Sequence, residues 1–354
     1  MSLSGVPVVY MSIVRQLHEE CTFDIIVLKD NDMFFEEEFL SYGGKVFRFN
    51  CPKPDNIFKK LGWLLFKYPK EVKKFFNKNL VLSEYSVIHS FNEGFSYPFF
   101  KESKRAGITK IILHICSAAS SYPPRKDLSQ FLFNSYQKKA KKICSNIVTV
   151  SQQSLKYVDY KNKGTVLYNI YDETKYGRIV DCAHNNLALT QIGTFSSRKN
   201  QLFSLEVVKK ISETYPSVLL NIVGKEIETG YLNKMTDYID KNNLNSNVKI
   251  LNNKTDRIEM NRNTSYLIYP STLESFGLVL IESQACGIHC FANKNIPNDA
   301  DMGNVDFIGL NSTIWAKSII EYYEKNGNSR KEPINTEKFS KEQFVKTLKR
   351  IYGC

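Results

Sequence analysis

Short apolar runs, each closed by glycine, proline or a polar cluster and followed by a stretch of helical periodicity, recur along most of the chain. In the first half Phe23 to Leu28, Val46 to Phe49, Ser86 to His89, Lys110 to Ile115, Asn146 to Val150 and Thr165 to Tyr168 read as strands. In the second half Ala188 to Gly193, Val218 to Gly224, Val248 to Leu251, Tyr266 to Tyr269, His289 to Ala292 and Val305 to Ile308 do the same. Helices are expected between them, for example where Leu205, Val208 and Ile211, or Leu232, Met235 and Ile239, fall on one face. Strand alternating with helix predicts an α/β protein whose parallel sheets are covered on both faces. A polar segment, 170–187, interrupts the rhythm and predicts an N-terminal domain over 1–169, a linker, and a second domain over 188–335. The amphipathic stretch Phe339 to Tyr352 makes 336–354 a closing helical segment.

The stretch from Pro270 to Gly287 carries the most chemistry. Tyr266 to Tyr269 should be a strand that stops at Pro270-Ser271; a loop with Glu274 follows, and from Gly277 onward Leu278, Ile281 and Ala285 recur as one helix face, with Glu282 beside it. A strand, loop and helix in this order place the loop and the first helical amides, Gly277-Leu278-Val279, at the carboxyl edge of a sheet, where ligands bind. Free N–H groups at a helix N-terminus suit a phosphate. Carboxylates accept hydrogen bonds only, so Glu274 and Glu282 on either side of such a site should face hydroxyls, as on a sugar or ribose. A second loop, Gly193 to Gln201, sets Arg198 and Lys199 between a strand and a helix. Cations are disfavoured near a helix N-terminus, and an anionic ligand such as a diphosphate resolves that conflict.

Composition narrows the classes. A chain of 354 residues, 42% hydrophobic, has room for two full cores. No apolar run approaches the ~20 residues that cross a bilayer, and no basic region followed by an apolar core opens the chain, which predicts a cytoplasmic protein. The eight cysteines are scattered, without a C-x-x-C, so reduced thiols are expected. Cys286, His289 and Cys290 could be imagined around a metal, but Cys290 to Ala292 reads as buried strand. Asp30-Asn31-Asp32 and Asp299-Ala300-Asp301 stand in contexts that do not suggest a shared metal site, and neither metal nor cofactor is expected. There is no G-x-G-x-x-G or Walker A sequence, which argues against NAD enzymes and P-loop ATPases. The net charge of +12 gathers partly at Lys59-Lys60 and from Lys67 to Lys78, among Trp63, Leu64, Leu65, Phe66 and Tyr68. That mixture over 57–79 fits an anionic membrane surface, at the inner face of the membrane; no nucleic-acid motif accompanies it.

Pro-Ser-x-x-Glu-Ser-Phe-Gly-Leu-x-Leu-x-Glu-x-x-Ala-x-Gly, from Pro270 to Gly287, resembles the E-x7-E signature of the mostly retaining group 1 glycosyltransferases that build bacterial capsules, exopolysaccharides and lipopolysaccharide. Leu40 to Phe49, Val87 to Asn92, Ile111 to Ser117 and Val148 to Gln152 resemble the same family in order and spacing. The resemblance implies a GT-B fold: two Rossmann-like domains facing a cleft, with the last helix crossing back to the first domain. It implies that Glu274 approaches the donor sugar, that Glu282 holds the ribose, and that amides after Phe276-Gly277 face the diphosphate. Arg198 and Lys199 would meet the same diphosphate, His114 would contact the transferring sugar, and Gly5 would stand in the first glycine loop. The implied function is transfer of a sugar from a nucleotide-diphosphate sugar to a polysaccharide or lipid-linked acceptor, with retention and without metal. The departures are four: Phe91 and Cys116 stand where the family often has a second histidine, Thr194 stands where a basic residue commonly follows the glycine, a place Arg198 would fill, Ile170 takes a usual glycine position, and the strand expected before Gly5 is missing. A nucleotide-sugar 2-epimerase of the same fold is one alternative; the missing strand and the altered loop and histidine positions raise a second, a catalytically impaired nucleotide-sugar-binding protein.

Overall fold

The computed structural model describes residues 5–28, 35–54, 56–117, 128–158, 161–176, 186–252 and 257–354. In chain order the elements are α1 (Gly5–Leu17), β1 (Ile25–Val27), α2 (Glu36–Ser41), β2 (Val46–Arg48), α3 (Ile57–Gly62), a π-helical turn (Trp63–Lys67), α4 (Tyr68–Asn79), β3 (Val87–Ser90), α5 (Ser96–Arg105), β4 (Lys110–Ile115), α6 (Leu128–Ile143), β5 (Asn146–Thr149), α7 (Gln152–Val158) and β6 (Gly164–Val166). They continue as α8 (Glu173–Tyr176), β7 (Ala188–Ile192), α9 (Gln201–Ser212), β8 (Leu219–Gly224), α10 (Tyr231–Lys241), β9 (Val248–Asn252), α11 (Arg257–Arg262), β10 (Tyr266–Tyr269), α12 (Leu278–Ala285), β11 (His289–Asn293), β12 (Val305–Ile308), α13 (Ser312–Asn326) and α14 (Lys341–Tyr352). The chain divides into two compact units, Met1–Asn169 with Ser340–Cys354, and Ile170–Phe339.

The sheet of the first unit lies in two parallel pieces among the described residues, β1-β2 and β3-β4-β5-β6. Strand β4 is nearly all apolar and buried along Ile111 to Ile115, as a central parallel strand must be. Strands β1 and β3, which each have one paired edge, are only half buried. Tyr85 Oη, just ahead of β3, donates to Asp24 Oδ2, just ahead of β1, at 2.5 Å. Helix α14 belongs to this unit: Phe344, Leu348, Ile351 and Tyr352 are buried, Ser340 caps its start by accepting from the Gln343 amide, and Lys349 pairs with Glu20 at 2.7 Å.

The second unit holds one parallel sheet in the order β12-β11-β10-β7-β8-β9. From β7 the chain winds outward through β8 and β9, then returns to the other side of β7 for β10 and winds outward again. The crevice between the carboxyl ends of β7 and β10 is therefore the topological switch point, the place where an open α/β sheet accepts ligands. Leu189, Ile222, Tyr266, Ile268 and Phe291 from the sheet and Trp315 from α13 sit in its main core, all fully buried. Helix α12 departs from the amphipathic pattern expected of it, because Val279 through Ala285 are all buried. A helix at the centre of a doubly wound layer has neighbours on most sides, so its polar residues, Glu282 included, are enclosed with the apolar ones.

Candidate active site

The two loops singled out in the sequence leave β7 and β10, neighbouring strands in the sheet, so they emerge side by side at the switch point. The first runs from Gly193 to Asn200 and turns tightly at its end, where the amides of Lys199 and Asn200 both donate to the Ser196 carbonyl at 3.0 Å. Asn200 adopts a left-handed conformation (φ 59°), which asparagine tolerates better than most residues, and α9 begins at the next position. The turn is fixed from below by Gln191, whose Nε2 donates to the Lys199 carbonyl at 2.7 Å while its Oε1 accepts from Ser204 Oγ. Gly224 at the end of β8 is constrained as well, since a Cβ there would overlap the Gly193 carbonyl.

The second loop runs from Pro270 to Gly277. Its backbone is tied to the first, with the Thr272 amide donating to the Arg198 carbonyl at 2.9 Å and Asn200 Nδ2 reaching the Pro270 carbonyl at 3.4 Å. From the neighbouring strand, Asn293 Nδ2 donates to the Ser271 carbonyl at 2.9 Å in a fully buried contact. Gly277 enters α12 at φ 111°, and no side chain caps the helix start. Gln284 anchors the far end through the Ala300 carbonyl and the Met302 amide. Both loops are thus braced by buried amide side chains.

The ties bring two of the sequence candidates together. Lys199 Nζ forms an ion pair with Glu274 Oε1, the two side chains being only 13% and 10% exposed, and lies 3.3 Å from Tyr269 Oη. Tyr269 also hydrogen-bonds Glu274; burial and then the Glu274 charge hold its phenol well above the ordinary range, so it stays a neutral donor. Arg198 is exposed and contributes its backbone carbonyl to the loop tie. Glu282 is buried in α12 at 9% exposure. Leu278 and Val279 form the first turn of α12, whereas the Phe276 ring turns away into a contact with Phe339 (centroids 6.0 Å apart). Tyr269, Gln191 and Asn293 were not anticipated. Each is a polar residue at or next to the last position of a buried strand, and that was the available signal.

Two candidates lie in the first unit. Gly5 is the first residue of α1 rather than part of a loop, and nothing stands within 4 Å of where its Cβ would be. His114 on β4 is fully buried, its Nδ1 3.2 Å from His89 Nε2, and His89 Nδ1 is 2.8 Å from Tyr352 Oη on α14. Phe91 covers both imidazole rings. Burial keeps both imidazoles neutral, lowering His89 to about 3 and His114 well below its usual value. In a neutral chain the protons are correlated: if Tyr352 donates to His89, then His89 donates to His114, and His114 is left with an N–H at Nε2. That Nε2 is buried with no hydrogen-bond partner among the described residues.

The string Asp30-Asn31-Asp32 lies outside the described residues, as does Cys182, one of the eight cysteines. His289 Nε2 is 3.3 Å from Asp306 Oδ2 and its ring stacks on Tyr322. No group of three or more His, Cys, Asp or Glu side chains placed to hold a metal occurs among the described residues, where the seven cysteines are all free thiols. No helix among them is long and apolar enough to cross a membrane.

Two parallel-sheet units of Rossmann type, one with its site at the switch point of a doubly wound sheet, make this a GT-B fold. Residues 178–310 match the family model of the group 1 glycosyl transferases. The chain is 26% identical over 140 residues to the capsular polysaccharide biosynthesis glycosyltransferase CapH of Staphylococcus aureus, an alignment covering 39% of this chain and 38% of CapH. It is 27% identical over 152 residues to the glycosyltransferase EpsF of Bacillus subtilis, covering 42% and 38%. The chain thus spans less than half the length of either relative. Among solved structures, Anabaena HepE in complex with UDP and glucose superposes with a TM-score of 0.76 at 18% identity, over 99% of this chain and 96% of that one. The chain is thus similar to the group 1 glycosyl transferases over residues 178–310 and shares the GT-B fold over nearly its whole length.

Proposed function

We propose that this chain transfers a sugar, with retention, from a nucleotide-diphosphate sugar to a polysaccharide or lipid-linked acceptor at the inner face of a membrane. The observation that carries the reading is the pairing of Lys199 with Glu274 at the switch point, beside the uncapped start of α12. A cation, a carboxylate and helix amides converging there suit a diphosphate with a sugar attached. HepE with UDP and glucose, and CapH in capsule synthesis, point the same way.

In this reading the diphosphate sits over the Gly277-Leu278-Val279 amides and draws Lys199 and Arg198 towards it. Glu274 accepts from hydroxyls of the donor sugar and Glu282 from the ribose. The anomeric C–O bond breaks with its electron pair going to the diphosphate, the acceptor oxygen bonds to the anomeric carbon, and the acceptor proton passes to a departing phosphate oxygen. Fixed cations and amides aimed at the leaving group stabilise charge as it develops, the largest catalytic contribution these residues offer. They meet that demand without a metal ion. His114, with its unpartnered Nε2, serves as a contact to the transferring sugar.

The test is calorimetric titration with UDP-, GDP-, CMP- and ADP-sugars, wild type beside Glu282→Ala, followed by product analysis with candidate acceptors. One donor should bind, and the substitution should weaken it by ~1–3 kcal/mol, the range for a buried polar group losing its partner. A folded protein that binds none of them would sink the proposal. Donor binding with no transfer to any acceptor would leave a nucleotide-sugar-binding protein.

A further inference from the structure

The segment from Ile57 to Asn79 is one helical rod in the first unit, made of α3, the π-helical turn and α4. The turn sits at Trp63–Lys67 and sorts the side chains around it. Trp63 and Leu64 point inward to the aromatic cluster of Phe49, Tyr68, Phe76 and Phe99, and Tyr136 donates to the Leu64 carbonyl from α6. The next two residues, Leu65 and Phe66, point outward at 44% and 74% exposure. A π-turn places one extra residue per turn, and such turns recur at functional sites. Here it puts two large apolar side chains consecutively on the outer face.

The rest of that face carries charge of one sign. Lys59, Lys67, Lys70, Lys73, Lys74 and Lys78 are all exposed, and Glu71 is the only acid between residues 57 and 79. A face built for water alone mixes both signs and keeps aromatics inside. A convex helical surface with an aliphatic and an aromatic side chain ringed by lysines instead matches the boundary between anionic headgroups and acyl chains. Self-association through this face would set lysines against lysines across a two-fold axis. Nucleic acid would use the cations but leaves Leu65 without a role, since stacking platforms are aromatic.

We propose that the outer face of the rod, centred on Leu65 and Phe66, is a docking surface for an anionic lipid bilayer. The apolar pair enters the acyl boundary and the lysines hold the headgroups. The surface does not rest on the glycosyl-transfer reading, and its test uses no nucleotide sugar.

The experiment is flotation of the full chain with vesicles of phosphatidylcholine alone or with added phosphatidylglycerol, at low and high salt. The protein should float with the anionic vesicles, stay behind with the neutral ones, and be released by salt. Changing Lys70, Lys73 and Lys74 together to glutamine should weaken binding about a hundredfold, and Phe66→Ser about tenfold. All four positions are exposed, so circular dichroism should show both variants folded as wild type, and Phe66→Trp should restore binding. Equal partition onto neutral and anionic vesicles, or variants that bind like wild type, would overturn the proposal. So would tighter binding to a single-stranded oligonucleotide than to vesicles, or a dimer in sedimentation that Phe66→Ser dissociates.

Discussion

Lys199 and Glu274 show what a residue type reveals and what it does not. Their chemistry was legible, because paired cations ahead of one helix and two acids around another point to an anion bearing hydroxyls. Their partnership was not, since positions 75 apart in sequence meet only through the pairing of β7 with β10. The pair is nearly buried, so removing one member strands the other, at a typical cost of about 3–5 kcal/mol. Lys199→Met should fall at the low end because Tyr269 still donates to Glu274, and Glu274→Ala higher, with the ammonium left to a phenol oxygen. The double variant should lose less than the sum of the two in urea unfolding, and strict additivity would show that the pair is not coupled. The buried histidines give a pH prediction. Both imidazoles have their pKa lowered in the folded state, so below about pH 6.5 the unfolded chain binds more protons, and stability present in full above that pH is lost as the pH falls towards the folded value, about 3 for His89. Each histidine then costs up to about 1.4 kcal/mol per pH unit. Urea unfolding at pH 7.5 and 5.5 should show the drop, and His89→Gln with His114→Asn should flatten it; an unchanged slope would mean that these imidazoles are not the groups responsible.

At the scale of elements, the strands were readable because each is a short apolar run closed by a turn residue, and the structure places them within a residue or two of the expected ends. The helices were read less well where packing overrides pattern. Helix α12 was expected to show one apolar face and is instead enclosed, and nothing in Trp63–Lys67 announces a π-turn, since its widening depends on where Trp63 and Leu64 find partners. The glycines are the clearest link from sequence to geometry. Gly277 holds a φ of 111° at the start of α12, where a Cβ would stand 3.1 Å from Leu280 Cδ1. Gly277→Ala should therefore cost about 1–3 kcal/mol in backbone strain and shift the first amides of the helix. Its effect should appear as a lowered melting temperature together with weaker donor binding in calorimetry. A variant as stable as wild type would show that this loop accommodates an ordinary residue.

For the whole molecule, the decisive fact is that the chain contributes to the first unit twice, once up to Asn169 and again from Ser340. Amphipathic periodicity announced the last helix and the family resemblance its return to the first unit, but its individual partners were not readable, because Tyr352 reaches His89 and Lys110 across more than two hundred residues of sequence. Helix α14 buries Phe344, Leu348, Ile351 and Tyr352 within the first unit. At about 1.5–3 kcal/mol for each large apolar side chain, these four contribute on the order of 6–12 kcal/mol as an upper estimate. That is comparable with the entire net stability of a typical domain, about 5–15 kcal/mol. Deleting residues 340–354 should therefore unfold the first unit and leave the second, whose main core cluster is drawn from residues 187–319, with its own melting transition. Calorimetry would read one lost or strongly lowered transition and one retained. In the proposed function the retained unit carries Lys199, Glu274, Glu282 and the α12 amides, so the truncated chain should still bind the nucleotide diphosphate while transferring no sugar. Tyr352→Phe, which removes only the hydroxyl bonded to His89, should lower the first transition by a few degrees and leave the second in place. If the truncation instead abolished both transitions together, the two units would be one cooperative body, and their separate roles would fail.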